Sequence, residues 1–212
     1  LNPTGNSPDL TNDNTPTIGG SAEANALVAL NSSLNGNVAS AIVPGSFQIT
    51  TSVLANGTHG ITATATDAAG NTSAISSTLT VRVDTVAPLA PLAFGLDPAS
   101  DTGTLGDNLT STTIVDLDGV RATSNTDVVS ARLVNTNTTV AVSQVDGSFT
   151  FTNVTLPFGP TLFTLELFDA AGNKSTSTVT ITRNANPVVT SNGAARTVSV
   201  NEDAAPTLIT LT

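Results

Sequence analysis

Along much of this chain apolar side chains alternate with Thr, Ser or Asn at a period of two. Ile61, Ala63 and Ala65 alternate with Thr62, Thr64 and Thr66, and Leu79, Val81 and Val83 with Thr78, Thr80 and Arg82. Later, Phe163, Leu165 and Leu167 alternate with Thr164 and Glu166, and Val179 and Ile181 with Thr178, Thr180 and Thr182. Successive side chains of a strand point to opposite faces, so each run predicts a strand with one face on a core. Weaker patterns predict strands over 27–30, 47–53, 128–134, 139–142 and 148–154. Helical periodicity is not sustained over three turns anywhere, and the chain reads as all-β.

The pattern also repeats. Asp67-Ala68-Ala69-Gly70-Asn71 returns 102 positions later as Asp169-Ala170-Ala171-Gly172-Asn173. Gly45-Ser46-Phe47 returns at the same offset as Gly147-Ser148-Phe149, Leu54 as Leu156, and Gly57 as Gly159. Four anchors at one offset imply two copies of a domain, each near the ~100 residues of an immunoglobulin-like sandwich. Ala63 and Ala65 in copy one stand where copy two has Leu165 and Leu167, so the two cores must be packed differently. Before the last strand, copy two is two residues shorter.

Asp84-Thr85-Val86-Ala87-Pro88-Leu89-Ala90-Pro91 reads as a short, semi-rigid junction, and Asn184-Ala185-Asn186-Pro187 repeats that role. The domain boundaries expected are therefore 1–86 and 87–184, with 185–212 opening an incomplete third β domain. A segment that short cannot bury a core alone. Leu1 is not an initiator Met, and the chain reads as a piece of something longer.

Composition removes several functions. The 212 residues carry 6 basic and 16 acidic side chains, a formal charge of −10, which argues against a nucleic-acid partner. Apolar runs stay well short of the ~20 residues of a membrane span. Without Cys there is no disulfide framework, zinc–thiolate site or thiol nucleophile, and one His cannot build a multi-His metal centre. Dispersed acid with little base suits a hard cation such as calcium, or simply keeps the surface soluble. An enzyme is not expected: the acids sit in turns, Glu166 is placed on the outward face of a strand, and His59 has no obvious Ser or Asp pairing.

One ordered series of motifs resembles a family. It runs from Pro16-Thr17-Ile18-Gly19-Gly20-Ser21-Ala22-Glu23 through Gly45-Ser46-Phe47 and Thr66-Asp67-Ala68-Ala69-Gly70-Asn71 to Val83-Asp84-Thr85-Val86-Ala87-Pro88. Copy two adds Leu96-Asp97-Pro98-Ala99-Ser100-Asp101-Thr102-Gly103 and Gly106-Asp107-Asn108-Leu109-Thr110. The series looks like the bacterial immunoglobulin-like repeats of large surface adhesins of the biofilm-associated and RTX types, over about residues 9–184. Val200-Asn201-Glu202-Asp203-Ala204-Ala205-Pro206 is similar to the start of a bacterial cadherin-like repeat.

The resemblance implies tandem antiparallel sandwiches in a non-enzymatic, extracellular stalk at the bacterial cell surface, often rigidified by calcium near domain junctions. Its partners would be neighbouring repeats of the same polypeptide and a matrix or cell-surface partner. A glycan- or protein-binding sandwich module, or a filament subunit assembled by strand exchange, are the alternatives. Candidate calcium ligands are Asp84, Asp97, Asp101 and Asp107, with Asp67 and Asp169 from the two DAAGN loops. Gly103 and Gly106 let the 97–108 loop fold back so that its carboxylates converge; the same Asp, Gly and Asn residues also make ordinary Asx turns. Copy two ends in Asn184 where copy one has Asp84, so the two copies need not bind alike.

Overall fold

A computed structural model describes residues 9–184, together with the backbone of two strands at 196–200 and 207–211. Every regular element is a strand, and the described chain forms two compact units.

The first unit contains β1 (Asp9–Thr11), β2 (Thr17–Ser21), β3 (Ala26–Ser32), β4 (Gly36–Val43), β5 (Ser46–Thr50), β6 (Gly57–Thr66) and β7 (Leu79–Val83). One sheet has the order β1-β7-β6-β3-β4, and β2 pairs with β5 in a second. All pairs are antiparallel except β1 with β7. Ile18, Val28, Leu30, Ile49, Leu54, Ile61, Val81 and Val83 form the core, because alternate positions of each strand face inward.

The second unit contains β8 (Ala93–Leu96), β9 (Leu109–Thr110), β10 (Ile114–Val120), β11 (Val128–Leu133), β12 (Thr138–Ala141), β13 (Ser148–Thr155), β14 (Gly159–Asp169) and β15 (Lys174–Arg183). Its sheets have the orders β12-β11-β14-β15-β9 and β13-β10-β8. Its core holds Leu117, Leu133, Phe149, Phe151, Phe163, Leu165, Leu167 and Ile181. Phe149 and Phe151 meet edge to face at 6.0 Å between centroids, a favoured aromatic geometry. Beyond it, β16 (Arg196–Val200) pairs antiparallel with β17 (Thr207–Leu211). Glu202, Asp203 and most of the expected third domain lie outside the described residues.

The registers show how the repeat is built. Gly20 stands opposite Phe47 in the first unit, and Gly119 opposite Phe149 in the second. Each phenyl ring lies over its glycine, where any Cβ would collide with it. The two extra residues of copy one fall in the stretch before β7. There Ser73 and Ser76 donate backbone N–H groups to the carbonyls of Ala65 and Ala63, and their hydroxyls accept the N–H groups of those same alanines.

Three expectations need correction. The strand placed over 47–53 ends at Thr50, because the N–H groups of Thr51, Ser52 and Leu54 turn to the carbonyls of Pro16, Val38 and Asn14. Glu166 does point away from the core, yet it is 6 % exposed, because Arg132 and Lys174 close over it. His59 does have a serine partner, Ser32, brought beside it by the β3–β6 pairing.

Candidate functional site

Three acids of the second unit, Asp97, Asp116 and Asp118, neighbour one another at the β8–β10–β13 sheet. Val115, Leu117 and Gly119 of β10 face the core, so Asp116 and Asp118 face the other way. Opposite Asp116 the ladder is irregular, and Asn153 takes a φ of 58°. The Asp116 Oδ1 accepts the Asn153 N–H at 2.8 Å, satisfying the bulge. Asp97 follows β8 and joins this face by donating its N–H to the Asp116 carbonyl at 3.0 Å.

Asp118 sits between Thr150 and Gly95 in the ladder. Burial pushes its carboxyl above the ordinary aspartate range, a hydrogen bond with Thr150 opposes this, and the adjoining Asp97 and nearby Asp116 push it further up. Its Oδ1 is buried with no donor facing it. Carboxyls so placed hold a proton or gather a cation. The signal in the sequence was Asp116-Leu117-Asp118, two acids two residues apart; sequence reasoning missed it because no strand was expected there.

The candidate calcium ligands distribute as follows. Asp67 and Asp84 belong to the first unit, and Asp97, Asp101, Asp107 and Asp169 to the second. Asp97 Oδ1 accepts the N–H of Ala99, Asp107 Oδ1 that of Leu109, and Asp84 Oδ1 that of Val86, all two residues on. These are Asx turns. Asp101 differs: Oδ2 accepts the Gly106 N–H at 2.6 Å, while Oδ1 is buried without a partner. Asp97 lies one turn before it, its carbonyl accepting the Asp101 N–H at 3.0 Å. A buried carboxylate oxygen without a donor is costly, and it fits a hard cation with oxygen ligands. Asp67 fits less well, since both its oxygens are engaged by Asn71, through the backbone N–H and the side-chain Nδ2 at 2.8 Å each. Those bonds hold its carboxyl below the usual range. Asp169 ends β14 and is buried.

Two polar clusters elsewhere serve packing. Glu166 accepts from Arg132 and from Lys174, and Arg132 also lies over the Phe168 ring at 5.6 Å. Hydrogen bonds from Lys174 first, then Arg132, hold the Glu166 carboxyl below its usual range. His59 is fully buried; its Nε2–H donates to the Ala55 carbonyl at 2.8 Å, and Nδ1 accepts from the Ser32 hydroxyl at 2.7 Å. Ser32 Oγ in turn accepts the N–H groups of Leu34 and Asn35. The ring thus bonds a carbonyl where a catalytic triad has an acid, and the serine oxygen is enclosed.

Residues 2–85 and 88–184 each match the model of one family, described as the bacterial Ig-like domain. The chain belongs to that family. These bacterial Ig-like repeats are similar to fibronectin(III)-like modules of Clostridium thermocellum CbhA, at 14 % identity, TM-score 0.45, covering 85 % of this chain and 93 % of that one. They are also similar to a tetra-tandem repeat in the extending region of a large adhesion protein, at 24 % identity, TM-score 0.33, covering 84 % of this chain and 49 % of that one. A third similar structure comes from a 1.5-MDa bacterial ice-binding adhesin, at 18 % identity and TM-score 0.37, covering 81 % and 57 %. The chain thus spans about half of each of these two adhesin structures. No curated protein sequence matches it. Among the described residues, no helix is long and apolar enough to cross a membrane.

Proposed function

We propose that this chain is a non-enzymatic spacer segment of a large repetitive bacterial surface or matrix protein, extracellular, whose bending at domain junctions is limited by calcium. The observation that carries the reading is the tandem match of one Ig-like family to 2–85 and 88–184, with only two residues between the matches. Pro88 and Pro91 fix φ just beyond that gap, so the linker has little freedom of its own. The same matches support boundaries at 1–86 and 87–184, and neighbouring repeats are the first partners.

The orphaned Asp101 Oδ1 supports calcium in the 97–108 loop, with Asp97 and Asp107 as further ligands. Asp84 adds a carboxylate at the junction, and Asp169 one at the end of β14; Asp67 is the weakest member of the set. Calcium would supply positive charge and accept 6–8 oxygens, more than one loop offers.

The test is a chelator titration of the chain followed by small-angle scattering and calorimetry. Millimolar calcium should raise the melting temperature and lengthen the particle, magnesium should do less, and Asp101→Asn with Asp107→Asn should remove the response while both units still fold. If neither dimensions nor melting respond to calcium, the stiffening role fails and these acids are turn residues.

A further inference from the structure

His59 is the one histidine of the chain, and it is completely enclosed in the first unit, 0 % exposed. Its bonds fix where its hydrogen sits. The Ala55 carbonyl can only accept, so Nε2 carries the hydrogen and Nδ1 is left as an acceptor for the Ser32 hydroxyl. The Ser32 oxygen is itself full. Its hydrogen goes to Nδ1, and its two lone pairs take the N–H groups of Leu34 and Asn35 at 3.2 and 3.3 Å.

A second proton on the ring has no acceptor in this arrangement. An Nδ1–H would face the Ser32 O–H, and the oxygen can accept it only by releasing Leu34 or Asn35 and turning its own hydrogen elsewhere. Among the described residues no ionisable side chain bonds the ring. β2, β3, β4, β5 and residues 51–57 carry none. Glu23 and Asp67 lie beyond the far ends of β3 and β6. On β7, Arg82 is exposed and pairs with Asp84, whose Oδ1 accepts the Val86 N–H. Asp9 of β1 shares a row with Val81 and His59, but two strands away, about 10 Å. Asp13 precedes Asn14, whose carbonyl takes the Leu54 N–H, and its Oδ1 is engaged by the N–H and hydroxyl of Thr15. An imidazolium at this place is therefore a buried charge without a counter-charge in contact.

The same bonds tie one end of the first unit together. Asn35 Oδ1 accepts the Ala55 N–H at 3.3 Å, and Ser33 Oγ accepts the Gly60 N–H at 2.9 Å. Next to Ala55, the Asn56 Oδ1 accepts both the N–H and the hydroxyl of Thr85, just past β7. The second unit has no such device: register puts Thr161, opposite Ile181, where His59 stands opposite Val81.

We propose that His59 is an acid-sensitive latch of the first unit: a proton taken up at Nδ1 opens the 32–35 turn and loosens the segment that holds Thr85. The inference rests on this hydrogen-bond network and is independent of the calcium-limited spacer reading.

The test is thermal unfolding and nuclear magnetic resonance of the full chain, with chelator, from pH 8 to 5. The imidazole of an unfolded chain takes its proton below about pH 6.5, so the unfolded first unit binds more protons there and the folded one loses stability as pH falls. Its unfolding constant should rise at least about fivefold between pH 7.5 and 5, while the second unit should lose no stability. Amides of Leu34, Asn35 and Ala55 should lose protection from exchange over the same range, after correction for the intrinsic rate. His59→Gln, which keeps a donor and an acceptor but takes up no proton, should remove the pH dependence. A variant that melts with the parent's pH dependence would overturn the proposal. Ring signals of the parent report directly even if the variant does not fold, since the chain has one histidine. A ring that protonates within the folded first unit, with Leu34, Asn35, Ala55 and Thr85 unmoved, would equally overturn it.

Discussion

Leu165→Ala is the sharpest test of how the second core is built. Leu165 is fully buried, opposite Leu133 in the β11–β14 ladder, and belongs to the cluster that holds Phe151 and Phe163. The change removes three carbons, worth about 2.4 kcal/mol at ~0.8 kcal/mol per buried group. Residual cavity adds to this at ~24 cal/mol per Å³, so incomplete collapse of some 40 Å³ contributes about 1 kcal/mol more. A loss of roughly 3–4 kcal/mol follows, which for a domain near 100 residues lowers melting by at least ~12 °C. Calorimetry of the full chain reads it as a shift of the second unit's transition. A shift below about 1 kcal/mol, or an effect confined to the first unit's transition, would mean that Leu165 does not face this core. The first unit already carries Ala63 at the equivalent place, so the variant also asks whether an alanine there is tolerated only among the smaller side chains of the first core.

Two further substitutions probe the polar clusters. Asp118→Asn should raise the melting temperature at pH 7 in the presence of chelator. A carboxyl whose folded pKa lies above its unfolded value of 3.8 favours folding fully only below that value and loses the contribution as pH rises through the folded pKa, so the variant's advantage should disappear below about pH 3.8. A pH-independent difference in thermal melts between pH 3 and 8 would contradict the assignment. Ser32→Ala should destabilise the first unit by roughly 1–3 kcal/mol, since it strands a buried imidazole nitrogen and two backbone N–H groups; an unchanged denaturation midpoint would show that water replaces the hydroxyl.

What the sequence disclosed depended on whether a feature was local. The strand through Phe163, Leu165 and Leu167 was legible because its inward set is large and its outward set polar at period two. The Asp67 turn was legible because its acceptor and donors lie within five residues. β10 was not, since Asp116, Asp118 and Gly119 break up the apolar series even though Val115 and Leu117 keep its phase. Nor was β4 anticipated, where Gly36, Asn37 and Ser40 dilute the pattern around Val38 and Val43. Burial of Glu166 depends on Arg132, 34 positions away, and enclosure of His59 on Ser32, 27 positions away; no local pattern reports either. The unpaired oxygen of Asp101 is likewise a property of the folded loop: Asp97, Asp101 and Asp107 look alike in sequence, and only Asp101 is left with a buried orphan.

Internal repetition adds a constraint that a single domain lacks. Gly20 and Gly119 each lie beneath a phenylalanine ring, so the smaller sheet keeps its β2–β5 and β10–β13 pairing in both copies. That shared device makes the departures informative, because they cannot be ascribed to a different fold. Copy two spends residues 93–108 on a third strand and an acidic loop, and its smaller sheet and core are closed. Among the described residues copy one has no counterpart of that strand; it carries Ala63 and Ala65 in place of Leu165 and Leu167, and Phe47 is half-buried where Phe149 is buried. The smaller inward side chains of copy one and the looser cover on its Phe47 therefore vary together, on a strand pairing that the two copies share.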